Sequence, residues 1–224
     1  FFEDMTFGIP RSNAMKLLNL MIDGKLNFSW TCFSRADVVD KELLLLMKNA
    51  GCHTIMLGVE SANEGILQKY QKGCSKKIIK EAFSNARRFG IKTVGTFILG
   101  LPEDDRTTVM ETIEFAKELD CNYASFNFAT PRPGTGLREM AISEGIIKKE
   151  ELAFDHSGDN MFSLSRQLST KELRWLQKKA IREFYLRPTY IIRQIMQIRS
   201  YVELKEHILE FFGLVQALFK RRLD

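Results

Sequence analysis

The sequence predicts an α/β protein built on parallel strands, and three observations carry that expectation. Five short β-rich runs alternate with helical segments, helix caps and glycine stops fall between them, and the polar residues suited to chemistry gather just after the strands. Strand, helix, strand at this spacing calls for right-handed crossovers. The chain has 224 residues, 45% hydrophobic and 27% charged, enough for one large core or two small ones, which excludes disordered and fibrous classes.

Taken in order, "FFED" at 1–4 reads as the first strand and a helix follows from Ser12 to Asp23. "NFSWTCF" at 27–33 is the second strand, followed by a helix from Asp40 to Ala50. "HTIMLGVE" at 53–60 is the third, with a helix from Lys76 to Phe89. "IKTVGTFILG" at 91–100 is the fourth, with a helix from Thr107 to Leu119, and "YASFNFA" at 123–129 is the fifth. Ser12 and Asp40 suit N-cap positions, and Gly24, Gly51 and Gly90 close helices where a left-handed residue is favoured. Beyond "PRPGTGLREMAISEG" an irregular stretch around "FDHSGDNMFSLS" leads to Ser169 and Thr170, which can cap a helix from Lys171 to Leu186, interrupted by Pro188. Amphipathic patterns then continue to the end, suited to covering an open side of the strand array or to packing on another domain.

Charge and cysteine usage bound the function. Residues 171–224 carry 12 Lys/Arg against 6 Asp/Glu, so the basic excess belongs to the tail. That tail lacks an interleaved aromatic pattern, which argues against nucleic acid; contact of "FFGLVQALFKRR" with an acidic membrane surface is the lesser alternative to core or domain packing. Cys32, Cys52, Cys74 and Cys121 match neither a zinc ribbon nor a disulfide scaffold, and Cys32 and Cys52 fall in apolar strands as small buried hydrophobes. His53, His156 and His207 form no i, i+4 ligand pair. Nothing resembles a secretory signal or a bilayer-spanning run, so the expected location is cytoplasmic.

In parallel α/β proteins ligands collect where strands end. Glu3 and Asp4 follow the first strand, Arg35 and Asp37 the second, "ESAN" at 60–63 the third, "LPEDD" at 101–105 the fourth and "TPRPGT" at 130–135 the fifth. Each acid taken alone is also an ordinary helix cap. "GTFILGLPE", from Gly95 to Glu103, adds glycines to an apolar strand, where they mark a bulge or a close approach. Glu60, Ser61 and Asn63 can bond vicinal hydroxyls, and Lys72 in "YQKG" can meet a carboxylate or phosphate. Tyr123, Ser125 and Asn127 alternate with apolar neighbours, giving the fifth strand one polar face.

In this order and spacing, "FFEDMTFG", "WTCFSRADVVDKELLLLMKNAGC", "GVES", "YQKG", "GTFILGLPE" and "PRPGT" resemble the radical S-adenosylmethionine enzymes, in the subgroup that carries a cobalamin-binding domain. The resemblance covers residues 1–145 most strongly and implies a partial (β/α)6 TIM-like barrel there, entered near the end of its second strand, with residues 146–224 as a helical extension. It implies S-adenosylmethionine and a [4Fe-4S] cluster as cofactors, a 5′-deoxyadenosyl radical acting on a small-molecule substrate, methyl transfer, cyclisation or another carbon-centred rearrangement, and an electron donor such as flavodoxin or ferredoxin. Cobalamin would be held by an N-terminal domain of the same polypeptide. The family's C-x-x-x-C-x-x-C loop occurs nowhere in these residues and is expected upstream of Phe1, leaving this chain without metal ligands.

Carried over by position, the resemblance implies that Glu3 or Asp4 binds the cofactor's methionine ammonium, Glu60 and Ser61 its ribose, and Lys72 its carboxylate. It sets the strand around Gly95, Phe97, Ile98 and Gly100 against the adenine, with Glu103 or Asp104 as the acidic member of the motif. Arg35 and Tyr123 are the substrate-side candidates, beside the plainer alternatives of an Arg35 ion pair with Asp37 or Asp40 and a satisfied core tyrosine. Two other functions compete: a non-catalytic cofactor-binding or interaction module, and an ordinary (β/α) barrel aldolase. The aldolase would need a Schiff-base lysine, and the strand lysine Lys92 lies at the wrong strand end.

Overall fold

The computed structural model describes residues 1–150 and 163–198. The stretch at 151–162, with His156, and residues 199–224, with His207 and the "FFGLVQALFKRR" segment, lie outside the described residues. The elements run α1 (Arg11–Asp23), β1 (Trp30–Arg35), α2 (Lys41–Asn49), β2 (Cys52–Glu60), α3 (Glu64–Lys69), α4 (Lys76–Arg88), β3 (Lys92–Leu99), α5 (Arg106–Leu119), β4 (Tyr123–Phe128), α6 (Gly136–Ser143), α7 (Thr170–Tyr185) and α8 (Pro188–Gln197).

The four strands form one sheet in the order β1-β2-β3-β4, every neighbouring pair parallel. The expected first strand is reduced to a bridge between Phe2 and Cys32, with Phe2 N–H donating to the Thr31 carbonyl and Phe7 N–H to that of Phe33. Glu3, Asp4 and Met5 are exposed there, and Gly8 turns the chain at φ +105°, so residues 3–8 do not extend the bridge into a ladder.

Burial alternates along each strand. Trp30, Cys32 and Ser34, then Ile55, Leu57 and Val59, then Thr93, Phe97 and Leu99, then Ala124, Phe126 and Phe128 are buried. Their apolar members meet Leu43, Leu44, Ile79, Phe83, Val109, Ile113, Leu173 and Phe184 from the helices in one core. The intervening residues form the sheet's second face.

Several helix starts follow the sequence signals. Asp40, Ser75 and Asp105 cap α2, α4 and α5, Asp105 in a capping box with Thr108, and Ser169 caps α7 with Glu172. Others differ. Pro10 occupies the N-cap position of α1 and Ser12 lies inside its first turn, while Gly24 stays right-handed and Lys25 takes the left-handed conformation at φ +49°. Asn63 caps the short α3, which sequence periodicity missed in so few residues, and Pro188 opens α8 at its first turn.

α7 packs against α5 and along the outer edge of β4. The Tyr185 hydroxyl donates to the Ala124 carbonyl and accepts from the Ala124 N–H, and Gln177 donates to the Phe126 carbonyl. Beyond it, Arg187 and Arg193 donate to carbonyls of Lys117, Asp120 and Cys121, at and just past the C-terminal end of α5.

Candidate functional site

The second face of the sheet has a readable gradient. In register across it run Phe33, Met56, Val94 and Tyr123, then Arg35, Gly58, Thr96 and Ser125, then Ile98 beside Asn127. The first row is apolar and aromatic; nearer the C-terminal strand ends the side chains become small and polar. Ser125 and Asn127 hydrogen-bond each other along β4. Tyr123 is the first residue of β4 and sits at the end opposite to the strand C-termini. Lys92 likewise begins β3.

At the end of β2 the ladder slips between Gly58 and Glu60, leaving Glu60 opposite Phe97. Glu60 has φ +66°, a left-handed conformation unusual for a residue with a side chain and typical of functional strand ends. Its Oε1 lies 2.7 Å from Lys72 Nζ, and both side chains are largely buried, 26% and 15% exposed. Arg35 donates through Nη2 to the Lys72 carbonyl at 2.7 Å and pairs with Asp37 at 2.7 Å. The hydrogen bond between Arg35 and Asp37 raises the Arg35 pKa and lowers that of Asp37. Arg35 therefore anchors the loop that presents Lys72.

Ser61 lies elsewhere. Its hydroxyl is buried, accepts from the Asn63 N–H and approaches Thr112 Oγ1 of α5 at 3.5 Å, so it braces the turn after β2. Gly95 and Phe97 face the helices: a Cβ on Gly95 would lie 3.0 Å from the Phe97 ring and 3.3 Å from Cys121 Sγ, and Phe97 stacks on Phe126. Gly100 has φ +84° and its Cβ would lie 2.6 Å from Leu173 of α7. These glycines are explained by packing and backbone conformation. Ile98 does face the site side and joins a satellite core with Ile66, Leu101, Ala129, Ala141, Ile147 and Leu164.

The acids after β3 divide their work. Asp104, 2% exposed, accepts from the Gly100 and Leu101 N–H groups and from Thr108 Oγ1, fixing the turn. Glu103 accepts from Lys69 and from the Tyr70 hydroxyl, tying α3 to that turn. Glu3 and Asp4 are exposed beside the outer edge of β1, in the segment that Phe2 joins to it by a single bridge.

The four cysteines do not form a cluster ligand set. All are buried free thiols; the neighbouring Cys52 and burial push the Cys32 thiol up, and burial pushes Cys121 up to about 11. Among the described residues no group of three His, Cys, Asp or Glu could hold a metal, and no helix is long and apolar enough to cross a membrane. Sequence reasoning missed Gly58. Its signal was present: in "GVE" it precedes Glu60 by two, which in a strand places it on the same face as that acid.

Residues 8–116 match the Radical SAM superfamily model. An uncharacterized methyltransferase of Pyrococcus horikoshii is 34% identical over 201 residues, 90% of this chain and 44% of that protein. An anaerobic magnesium-protoporphyrin IX monomethyl ester cyclase of Cereibacter sphaeroides is 35% identical over 121 residues, 54% of this chain and 19% of the cyclase. Among solved structures, the radical S-adenosylmethionine methyltransferase TsrM of Kitasatospora setae, with cobalamin and [4Fe-4S] cluster bound, aligns with a TM-score of 0.55 at 19% identity, over 62% of this chain and 30% of that one. With an α/β parallel fold and a polar constellation at its strand ends, the chain belongs to the radical SAM superfamily, a family of enzymes. Members use S-adenosylmethionine and a [4Fe-4S] cluster. The chain spans less than half the length of either of these two curated relatives.

Proposed function

We propose that this chain holds S-adenosylmethionine at the C-terminal ends of β2 and β3, as the barrel of an enzyme that methylates, cyclises or otherwise rearranges a small-molecule substrate. The observation that carries this reading is the adjoining carboxylate and ammonium of Glu60 and Lys72. An amino acid bears an ammonium and a carboxylate of its own, so each end meets the opposite sign in a charge-assisted bond. Ile98 gives a flat base an apolar neighbour, and Thr96, Ser125 and Asn127 offer hydrogen bonds beside it. Glu3 and Asp4 lie at the β1 edge as further acceptors for the ammonium. The residues therefore fit S-adenosylmethionine.

They do not fit the iron–sulfur cluster, whose ligands we place outside residues 1–224. Bound S-adenosylmethionine supplies the reactive one-carbon or adenosyl fragment. This chain's part is to hold the nucleoside and amino-acid ends and to keep water from the reacting centre. The methyltransferase and cyclase relatives support those two reaction classes. A cobalamin-binding domain of the same polypeptide and a flavodoxin or ferredoxin as electron donor complete the proposal.

Calorimetric titration with S-adenosylmethionine tests it. Binding is expected, with Lys72→Ala weakening it by about tenfold, the worth of one hydrogen bond to a charged group. A protein that does not bind S-adenosylmethionine, or a Lys72→Ala variant that binds like the wild type, overturns the assignment.

A further inference from the structure

We infer that Gly58 is a positioning residue: the space left by its missing side chain is the seat that holds the Glu60–Lys72 pair over β2. A glycine inside a strand costs about 0.5–1 kcal/mol relative to alanine, so its presence needs a reason. Backbone conformation does not supply one, because Gly58 lies outside the left-handed region where glycine is favoured. Space does. A Cβ built there would lie 2.5 Å from Glu60 Oε1, 2.8 Å from Lys72 Nζ and 3.6 Å from Glu60 Cδ. All three neighbours belong to the ion pair.

The other strand glycine has a different cause. Gly95 makes room for the Phe97 ring and Cys121, which serves packing on the helix side. Gly58 alone lies in the row between Arg35 and Thr96, under the two charges. Those charges are held from both sides. The slipped register and left-handed Glu60 aim the carboxylate, and Arg35 grips the Lys72 carbonyl. The atoms that a methyl group at position 58 would meet are the far ends of flexible side chains. An alanine is thus accommodated by displacing the pair, with the strand ladder intact, and the charges lose the placement that suits an amino-acid ligand.

The ligand part of this inference rests on the proposed binding of S-adenosylmethionine; the seat itself does not. A double-mutant cycle of Gly58→Ala and Lys72→Ala separates them, read by calorimetric S-adenosylmethionine affinity and by thermal midpoint. Gly58→Ala is expected to weaken affinity by about tenfold, like the loss of the Lys72 contact, and to add less than about twofold once Lys72 is alanine. A purely structural glycine would weaken binding equally in both backgrounds. Wild-type affinity in Gly58→Ala, or full additivity with Lys72→Ala, overturns the inference. If the wild type binds no S-adenosylmethionine, the functional reading falls and the thermal cycle decides the seat: non-additive midpoints support it and additive midpoints overturn it.

Discussion

Glu103 and Asp104 are neighbours in sequence with opposite electrostatics. Burial raises the Asp104 carboxyl in spite of hydrogen bonds from Thr108, Leu101 and Gly100. For Glu103 burial acts in the same direction, but hydrogen bonds from Lys69 and Tyr70 prevail and hold it below the usual carboxylate range. The folded pKa of Glu103 lies under its unfolded value, so its contribution is present above about pH 4.5 and is lost as pH falls through the depressed pKa. Asp104 has the reverse sign: its raised pKa favours the fold as pH falls. Glu103→Gln is therefore expected to lower the thermal midpoint at neutral pH, with the gap to wild type closing as pH falls through the depressed carboxylate pKa, in paired melts. A constant gap would show that the Glu103 charge is not responsible. Asp104→Asn, which cannot accept all three hydrogen bonds with both oxygens, should cost about 1–3 kcal/mol in urea unfolding. The sequence marked both acids as candidates for one role. It could not separate them, because the burial of Asp104 depends on α5 folding back over the turn.

Among the elements, α7 shows how a helix substitutes for a strand. An edge strand leaves backbone groups that another chain can pair with. On β4, Tyr185 satisfies the N–H and carbonyl of Ala124 and Gln177 the carbonyl of Phe126 from the helix side. Tyr185→Phe leaves a buried N–H and carbonyl short of partners, with an expected cost of about 1–3 kcal/mol and increased self-association on size-exclusion chromatography. A variant as stable and monodisperse as the wild type would remove this role. The capping residues of α7 were legible at Ser169, whereas its place beside β4 was not: amphipathicity identifies a buried face without naming its neighbour. α3 and α6 were missed for another reason. At six and eight residues they are held by caps at Asn63 and Thr135 and by the satellite core, with too little length for a periodic signal.

Across the whole molecule, the parallel direction of the strands followed from alternation and spacing, because crossovers of this length join parallel neighbours. The glycines of "GTFILGLPE" were harder. They suggested a ligand against the backbone, but Gly95 accommodates an aromatic ring and Gly100 accommodates both a left-handed turn and Leu173. Which object approaches a glycine is a tertiary fact. Gly100→Ala, strained in φ and crowded by α7, is expected to destabilise the protein by more than about 1 kcal/mol, and by less, though still measurably, when Leu173 is alanine. A Gly100→Ala penalty that vanishes in the Leu173→Ala background, measured by denaturant midpoint, would assign the cost to crowding alone.

Sealing one border of the sheet gives it a direction of growth. With the β4 flank closed by tyrosine and glutamine side chains, an additional strand has its opening on the β1 flank, where Phe2 already makes a single rung. Any polypeptide that lengthens this ladder, from the same chain or from a companion, would then arrive next to Glu3 and Asp4 and extend the cradle from that side.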